Sequence, residues 1–405
     1  MDIKIKEFLD RHCLSEESYD IDELCSYKLR QMENGLDGKK SDLAMINSYC
    51  SPVDSVNPGE KVIVIDAGGT NLRTCLVSFE EDGSTRIEDF QKTNMPGSKG
   101  TLSAKEFFSQ IADAVERLID RSNRIGFCFS YPVEVLSNHD GICLLMTKEI
   151  SAPEVIGKKI GEELLLELSR RGHKTDDKKL IILNDTVATL LAGISKVAEK
   201  GCEGCMGFIL GTGTNTAYVE KDTIINEESG NLSFPTGDID NLFLASTPAP
   251  DQYILEKMIS GRYLGNGFEF VLRQAAEEGL LSKDCTFENV DTIQLSNFLN
   301  GEKSTIHAEN KKDRETVKVL ADAYISRSAK FTAANLAASV LKSGYGKDKP
   351  VLINADGSTF YLTPGVCEKT GAYLENYLKS KGRSAVFTRI ENSPTIGSAI
   401  GALSI

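Results

Sequence analysis

Lys61-Val-Ile-Val-Ile65 is a short β-branched, apolar run that leads directly into Asp66-Ala-Gly-Gly-Thr-Asn71. Such a run, bounded by glycines, predicts a buried strand ending in a tight turn. The pattern returns at Ile209-Leu-Gly-Thr-Gly-Thr-Asn215. It matches the first stretch at the isoleucine, the second glycine of each loop, the threonine and the asparagine, with a constant offset of 144 residues. Each copy follows one strand-like run and precedes another. We read an internal duplication: two related α/β domains, each with a Gly/Thr hairpin at its strand ends. The copies differ where Asp66 in the first gives way to Leu210 in the second.

Working outward, Leu76–Phe79 predicts the next strand and Asp82-Gly83 a hairpin turn. Ser103-x-x-Glu106 is a capping box ahead of Ile111, Val115, Leu118 and Ile119 on one helical face. Strand patterns follow at Ile125–Phe129 and Leu180–Leu183, and a helix pattern runs from Thr186 to Ala198. The first 55 residues form a helical lead-in, with Ile21, Leu24, Cys25 and Leu29 at helical spacing. Beyond Pro250 the chain turns helical, including an Ala-rich helix near Thr316–Leu341. The last segment reads as strand Val351–Ile353, helix Thr370–Leu378, strand Ala385–Ile390 and a small-residue run, Gly397–Leu403. Such alternation defines an α/β fold.

A length of 405 residues accommodates two or three domains. The net charge of −13 argues against a nucleic-acid or anionic-membrane partner, while leaving room for a local basic pocket. No apolar stretch approaches the ~18 residues of a transmembrane helix, and MDIKIKEFLD lacks the apolar core of a signal peptide. The ten cysteines are too few for a disulfide scaffold in so long a chain, and several sit inside apolar runs. Reduced thiols and a cytoplasmic location are expected. Cys202-x-x-Cys205 has no second pair nearby, so it predicts no zinc site. His173 lies in a polar stretch and is expected in solvent.

Glycine hairpins bring backbone N–H groups and hydroxyls close to phosphate oxygens. Two such loops across a cleft can clamp one nucleotide, and an acidic residue in only one of them suits a single Mg²⁺, with Asp66 as its ligand. No GxxxxGK[ST] motif occurs, which excludes a P-loop. Asn184-Asp185-Thr186 falls where a strand pattern gives way to a helix pattern, the edge that faces ligand in open α/β sheets. There Asp185 is either a helix cap or a reactive carboxylate.

The ordered set of motifs resembles the hexokinase family, within the sugar kinase, heat-shock ATPase and actin superfamily, and most closely a bacterial type. The resemblance covers most of the chain. Its parts are Met32–Met45, Asp66-Ala-Gly-Gly-Thr-Asn-Leu-Arg73, Phe127-Cys-Phe-Ser-Tyr-Pro132, Met146-Thr-Lys148, Leu183-Asn-Asp-Thr186, Gly211-Thr-Gly-Thr-Asn215, Glu256–Gly265 and Ala355-Asp-Gly-Ser358. It implies two ribonuclease H-like (actin-like ATPase) domains with a cleft between them. It also implies transfer of the γ-phosphoryl of MgATP to the 6-hydroxyl of a hexose, with glucose as the expected acceptor.

Carried over by motif, Asp185 is the implied general base and Lys148 the cation beside the transferred phosphoryl. Ser130, Thr147, Asn184, Asn215, Glu228 and Glu256 are the implied sugar ligands. Asp66, Gly68, Gly69, Thr70, Asn71, Arg73, Gly211 and Thr212 surround Mg²⁺ and the phosphates, and Gly357 and Ser358 meet adenosine. The implied small domain spans 58–184 plus 392–405, and the large one 1–57 plus 185–391. Two departures stand out. Glu228-Ser-Gly230 replaces the family's Glu-Trp-Gly, leaving Glu227 as a neighbouring alternative to Glu228. Ser393-Pro-Thr-Ile-Gly-Ser-Ala399 replaces its Gly-Ser-Gly-Lys-Gly-Ala-Ala. Two other readings of the same fold are a non-catalytic sugar sensor and a kinase using another sugar or phosphoryl donor.

Overall fold

A computed structural model describes residues 2–52, 58–146 and 150–405. Two mixed sheets carry the chain, and both use one topology. In the first, Val62–Ala67 is the central strand, antiparallel to Asn71–Phe79, which in turn pairs with Thr85–Asn94. On its other side Arg124–Phe129 and then Lys179–Leu183 add in parallel. In the second, Cys205–Leu210 is central, with Thr214–Glu220 and Thr223–Asn226 antiparallel on one side. Val351–Asp356 and Ala385–Thr388 add in parallel on the other. The duplication is therefore one of strand order and direction. Ile46–Asn47 extends the edge of the second sheet.

The two glycine hairpins differ in register. Ala67 faces Leu72 across the first loop, whereas Leu210 faces Thr214 across the second. The second turn is tighter by one residue, so the sequence offset is not preserved in the ladders.

Each sheet is followed by a helix that packs on the other. Asp185–Ile194 continues from the last strand of the first sheet but lies on the second, where Gly207 admits it. A Cβ at Gly207 would collide with the Thr186 carbonyl oxygen. Ser393–Leu403 follows the second sheet and lies on the first, with Gly126 meeting the Ser398 carbonyl in the same way. The two helices touch at Gly397, whose missing Cβ leaves room for the Ala188 carbonyl. Val62, Val64, Cys75 and Val77 from one sheet and Cys205, Ala217, Val219 and Leu352 from the other join these helices in one buried cluster. Burial of this kind contributes roughly 25 cal/mol per Å² of apolar surface and holds the halves together.

The remaining helices cover the outer faces. Ala104–Val115, with the predicted capping box formed, packs with Ile160–Arg170 over the first sheet. Ile21–Leu36 and Lys311–Ser343 cover the second. The long helix starts at an Asn310 cap and stops at Gly344, whose φ of 78° suits the left-handed C-cap. The pattern from Thr186 to Ala198 ends earlier, at Ile194, where Ser195 turns its hydroxyl back to the Ala192 carbonyl at 2.8 Å. His173 is not a solvated side chain: its ring is mostly covered, with Nε2 2.9 Å from Glu116 Oε1. All ten cysteines carry free thiols. Among the described residues no helix is long and apolar enough to cross a membrane.

Candidate active site

Among the described residues, the predicted side chains lie where strands of both sheets end at their C-terminal edges. Asp66, near the end of its strand, is buried and lies directly across the ladder from Arg73, which donates from Nη1 to Asp66 Oδ2 at 2.6 Å. Gly68 and Gly69 follow, then exposed Thr70, whose hydroxyl accepts from Asn71 Nδ2 at 3.0 Å. Ser130 begins just past the adjacent parallel strand, and its N–H donates to the Ala67 carbonyl at 3.1 Å. Tyr131 then donates its hydroxyl to the Gly68 carbonyl at 2.8 Å, fastening the two loops together. Burial first, and the Asp66 charge second, push the Tyr131 phenol above its ordinary range, so it stays a proton donor at neutral pH. Tyr131 belongs to the Phe127–Pro132 motif, and its part in the site is this fastening contact.

On the second sheet, the Gly211 carbonyl accepts from the Gly261 N–H and from Thr359 Oγ1, both at 2.8 Å, and the Thr212 carbonyl accepts from the Arg262 N–H at 3.1 Å. Gly357 ends the neighbouring parallel strand with a φ of 119°, and a Cβ there would meet the Leu210 carbonyl. Only glycine fits that position without strain. Ser358 follows, exposed, as the first residue of a short helix. Gly211, Thr212, Gly357 and Ser358 thus form a second cluster, apart from the loop of Asp66.

Between these clusters runs a chain of amides. Asn184 is the helix cap, its Oδ1 accepting the Thr186 N–H at 2.8 Å. Asp185 is therefore the first helical residue rather than the cap, and its Oδ1 accepts from the Thr186 hydroxyl at 3.3 Å. Asn215 Nδ2 donates to Asn184 Oδ1 at 3.4 Å and to Asn226 Oδ1 at 2.7 Å. Asn226 Nδ2 donates in turn to Glu228 Oε1 at 2.8 Å. Glu256 Oε2 accepts the Thr214 N–H at 3.1 Å, next to Gly213. A recess between the sheets is lined by Tyr131, Asn184, Asn226 and Glu228. Asn226 was missed from sequence; the signal for it was an asparagine closing the apolar strand two residues before Glu228.

Glu227 and Glu228 have opposite fates. Glu227 is fully buried and pairs with Lys28 at 2.6 Å, whereas Glu228 joins the asparagine chain. The backbone at Glu228 is left-handed, with φ 55° and ψ 47°, and this turns the two neighbouring carboxylates apart. Burial and the charges of Glu228 and Glu256 raise the pKa of the Tyr253 phenol, which marks it as a neighbour of both carboxylates. Thr147 and Lys148 lie outside the described residues.

A family model described as hexokinase matches residues 4–195, and a second with the same description matches residues 205–404, between them nearly the whole chain. The chain belongs to the hexokinase family. It is accordingly a phosphotransferase. Hexokinase-1 of Schizosaccharomyces pombe is 27% identical over 423 residues, covering 91% of this chain and 84% of the relative. Hexokinase-1 of Saccharomyces cerevisiae is 28% identical over 433 residues, covering 92% and 86%. Hexokinase-2 of Solanum tuberosum is 26% identical over 90% of this chain and 83% of its own length. These relatives are fungal and plant proteins, which corrects the expectation of a bacterial type. The solved hexokinase from Schistosoma mansoni complexed with glucose has a TM-score of 0.76 at 23% identity, over 99% of this chain and 98% of that one. Another hexokinase crystal structure reaches 0.81 at 21% identity over 99% of both. That likeness establishes the two-domain α/β fold expected from the duplication, the fold that the family resemblance implies to be actin-like.

Proposed function

We propose that this hexokinase transfers the γ-phosphoryl of ATP to the 6-hydroxyl of a hexose, with glucose as the preferred acceptor. The observation that carries the reading is the chain Asn184–Asn215–Asn226–Glu228, with Asp185 beside it and a glycine hairpin on either sheet. Vicinal hydroxyls need donors and acceptors at fixed spacing, which amides and carboxylates supply together. Asp185 takes the proton of the acceptor hydroxyl, a poor nucleophile at neutral pH, as phosphoryl transfer requires. Asn184, Asn215, Glu228 and Glu256 hold the sugar, together with Ser130 and Thr147. Lys148 neutralises charge on the transferred group.

Asp66, Gly68, Gly69, Thr70, Asn71, Arg73, Gly211 and Thr212 hold the phosphates, and Gly357 and Ser358 meet the adenosine. The donor chemistry fits Mg²⁺ through water, because Asp66 is a carboxylate at the head of the glycine loop, with one oxygen held by Arg73 Nη1 at 2.6 Å. Bound there with the nucleotide, the ion would neutralise β- and γ-phosphate charge. The site divides a small domain, 58–184 plus 392–405, from a large one, 1–57 plus 185–391. The packing of Ser393–Leu403 on the first sheet and Asp185–Ile194 on the second supports that division. A coupled assay over a panel of hexoses and phosphoryl donors tests the reading. Glucose with MgATP should give the highest kcat/KM; no turnover with any hexose would refute it.

A further inference from the structure

A buried polar network connects the proposed sugar ligands to a lysine on an N-terminal helix. Lys28, on helix Ile21–Leu36, is fully buried together with Glu227. An ammonium has three N–H donors. Those of Lys28 go to the Asn335 carbonyl at 2.8 Å, Asn335 Oδ1 at 2.6 Å and Ser339 Oγ at 2.7 Å, all on helix Lys311–Ser343. Glu227 Oε2 lies 2.6 Å from the same nitrogen, a buried ion pair at charge-assisted contact distance. Its Oε1 accepts from Ser339 Oγ at 2.6 Å.

The network continues to the site in two steps. Asn335 Nδ2 donates to Thr216 Oγ1 at 2.9 Å, and Ser229 Oγ reaches the same oxygen at 3.0 Å. Asn215 Oδ1 accepts the N–H groups of Thr216 at 2.7 Å and Ser229 at 3.2 Å, which orients its amide toward Asn226 and Asn184. Glu227 and Glu228 are identical side chains at adjacent positions, and the left-handed backbone at Glu228 is a costly conformation for a residue with a Cβ. Something outside the turn must select which carboxylate faces the sugar.

We propose that Lys28 is a positioning residue for the hexose: by drawing Glu227 into the core it fixes Glu228 and Asn215 on the sugar side. Burial pushes Lys28 down and Glu227 up, toward neutral forms, and their mutual attraction opposes this. Without Lys28, the Glu227 carboxylate keeps only the Ser339 hydroxyl and has no buried counter-charge, so it is expelled toward solvent, carrying the turn with it. The nucleotide loop at Gly211–Thr212 keeps its own bonds to Gly261, Arg262 and Thr359.

The proposal rests on Glu228 and Asn215 being hexose ligands, and steady-state kinetics of the full chain separates the two claims. Lys28→Met should raise the hexose KM about tenfold or more, with kcat and the KM for ATP changed less than about threefold, since uniform substrate binding is what is lost. Adding Glu227→Met, which makes the pair apolar, should restore the hexose KM to within about threefold of the wild-type value. A Lys28→Met enzyme with lower thermal stability but an unchanged hexose KM would overturn the proposal. Should that variant fail to fold, Glu227→Gln supplies the same readout: a raised hexose KM supports the proposal and an unchanged one overturns it. Glu228→Gln is the control. If it leaves the hexose KM unaltered, the ligand reading fails and the proposal with it; if it raises the KM while Lys28→Met and Glu227→Gln do not, only the role of Lys28 falls.

Discussion

Asp185→Asn separates chemistry from helix stability. Asn184 holds the cap, so the substitution leaves the bond from the Thr186 N–H to Asn184 Oδ1 in place. What is lost structurally is one negative charge in the first turn, worth about 0.3–1 kcal/mol against the helix dipole. At ~2–4 °C per kcal/mol for domains of 150–250 residues, Tm should fall by no more than about 4 °C. Asparagine nearly matches aspartate in size and can still hydrogen-bond a sugar hydroxyl, so the hexose KM should move only a few-fold. Turnover is another matter. Removing a general base costs ~10²- to 10⁴-fold in kcat, equivalent to about 3–5 kcal/mol of barrier. A coupled assay at saturating hexose and MgATP measures the first quantity, and calorimetry measures the second. If kcat stays within a few-fold of wild type, Asp185 is not the base. If Tm falls by 10 °C or more, the division of labour between Asn184 and Asp185 is wrong.

Gly397→Ala should destabilise the protein by about 1–3 kcal/mol, because its Cβ would collide with the Ala188 carbonyl where the two helices cross. The urea midpoint reads this, and an unchanged midpoint would show that the helices are not in contact. Burial pushes the Cys75 thiol up to about 12, and those of Cys143 and Cys285 up to about 11, above the ~8.5 of an exposed thiol. Folded chains then keep protons that unfolded chains release, so this contribution is complete below pH ~8.5 and is lost as pH rises toward 11. Denaturation at pH 7 and pH 10 should show the loss, and the buried thiols of Cys75, Cys143 and Cys285 should resist alkylation at pH 8 while all ten cysteines react after unfolding. Finally, proposed sugar ligands sit on both sides of the crossing helices, so a hexose should favour a closed cleft. Solution scattering with saturating glucose should show compaction greater than with MgATP alone, and an unchanged profile with a demonstrably phosphorylated sugar would exclude closure.

The strands and glycine loops were legible because their signals are local. A β-branched run such as Lys61–Ile65 buries both faces, and glycines at its end permit only a narrow set of turns. The repeat at Ile209–Asn215 extended that reading to a second sheet of the same strand order. Helix starts were legible for the same reason, as the capping box at Ser103 and Glu106 shows. The ladder register of the second hairpin was not, because it depends on how neighbouring strands seat against each other.

The sequence by itself determined the α/β class, the duplication and the set of polar residues available at the strand ends. Only the tertiary structure decided how those parts meet. An apolar helical face states that something must cover it, but not which sheet, so the exchange of Asp185–Ile194 and Ser393–Leu403 between sheets could not be read locally. Nor could two adjacent glutamates declare their roles. Glu227 turns inward because a buried ammonium from helix Ile21–Leu36 meets it there, and Glu228 turns outward because the backbone then has to take a left-handed conformation. Periodicity encodes where a side chain is placed on its own element; what it faces is set by charge and packing from segments distant in the chain.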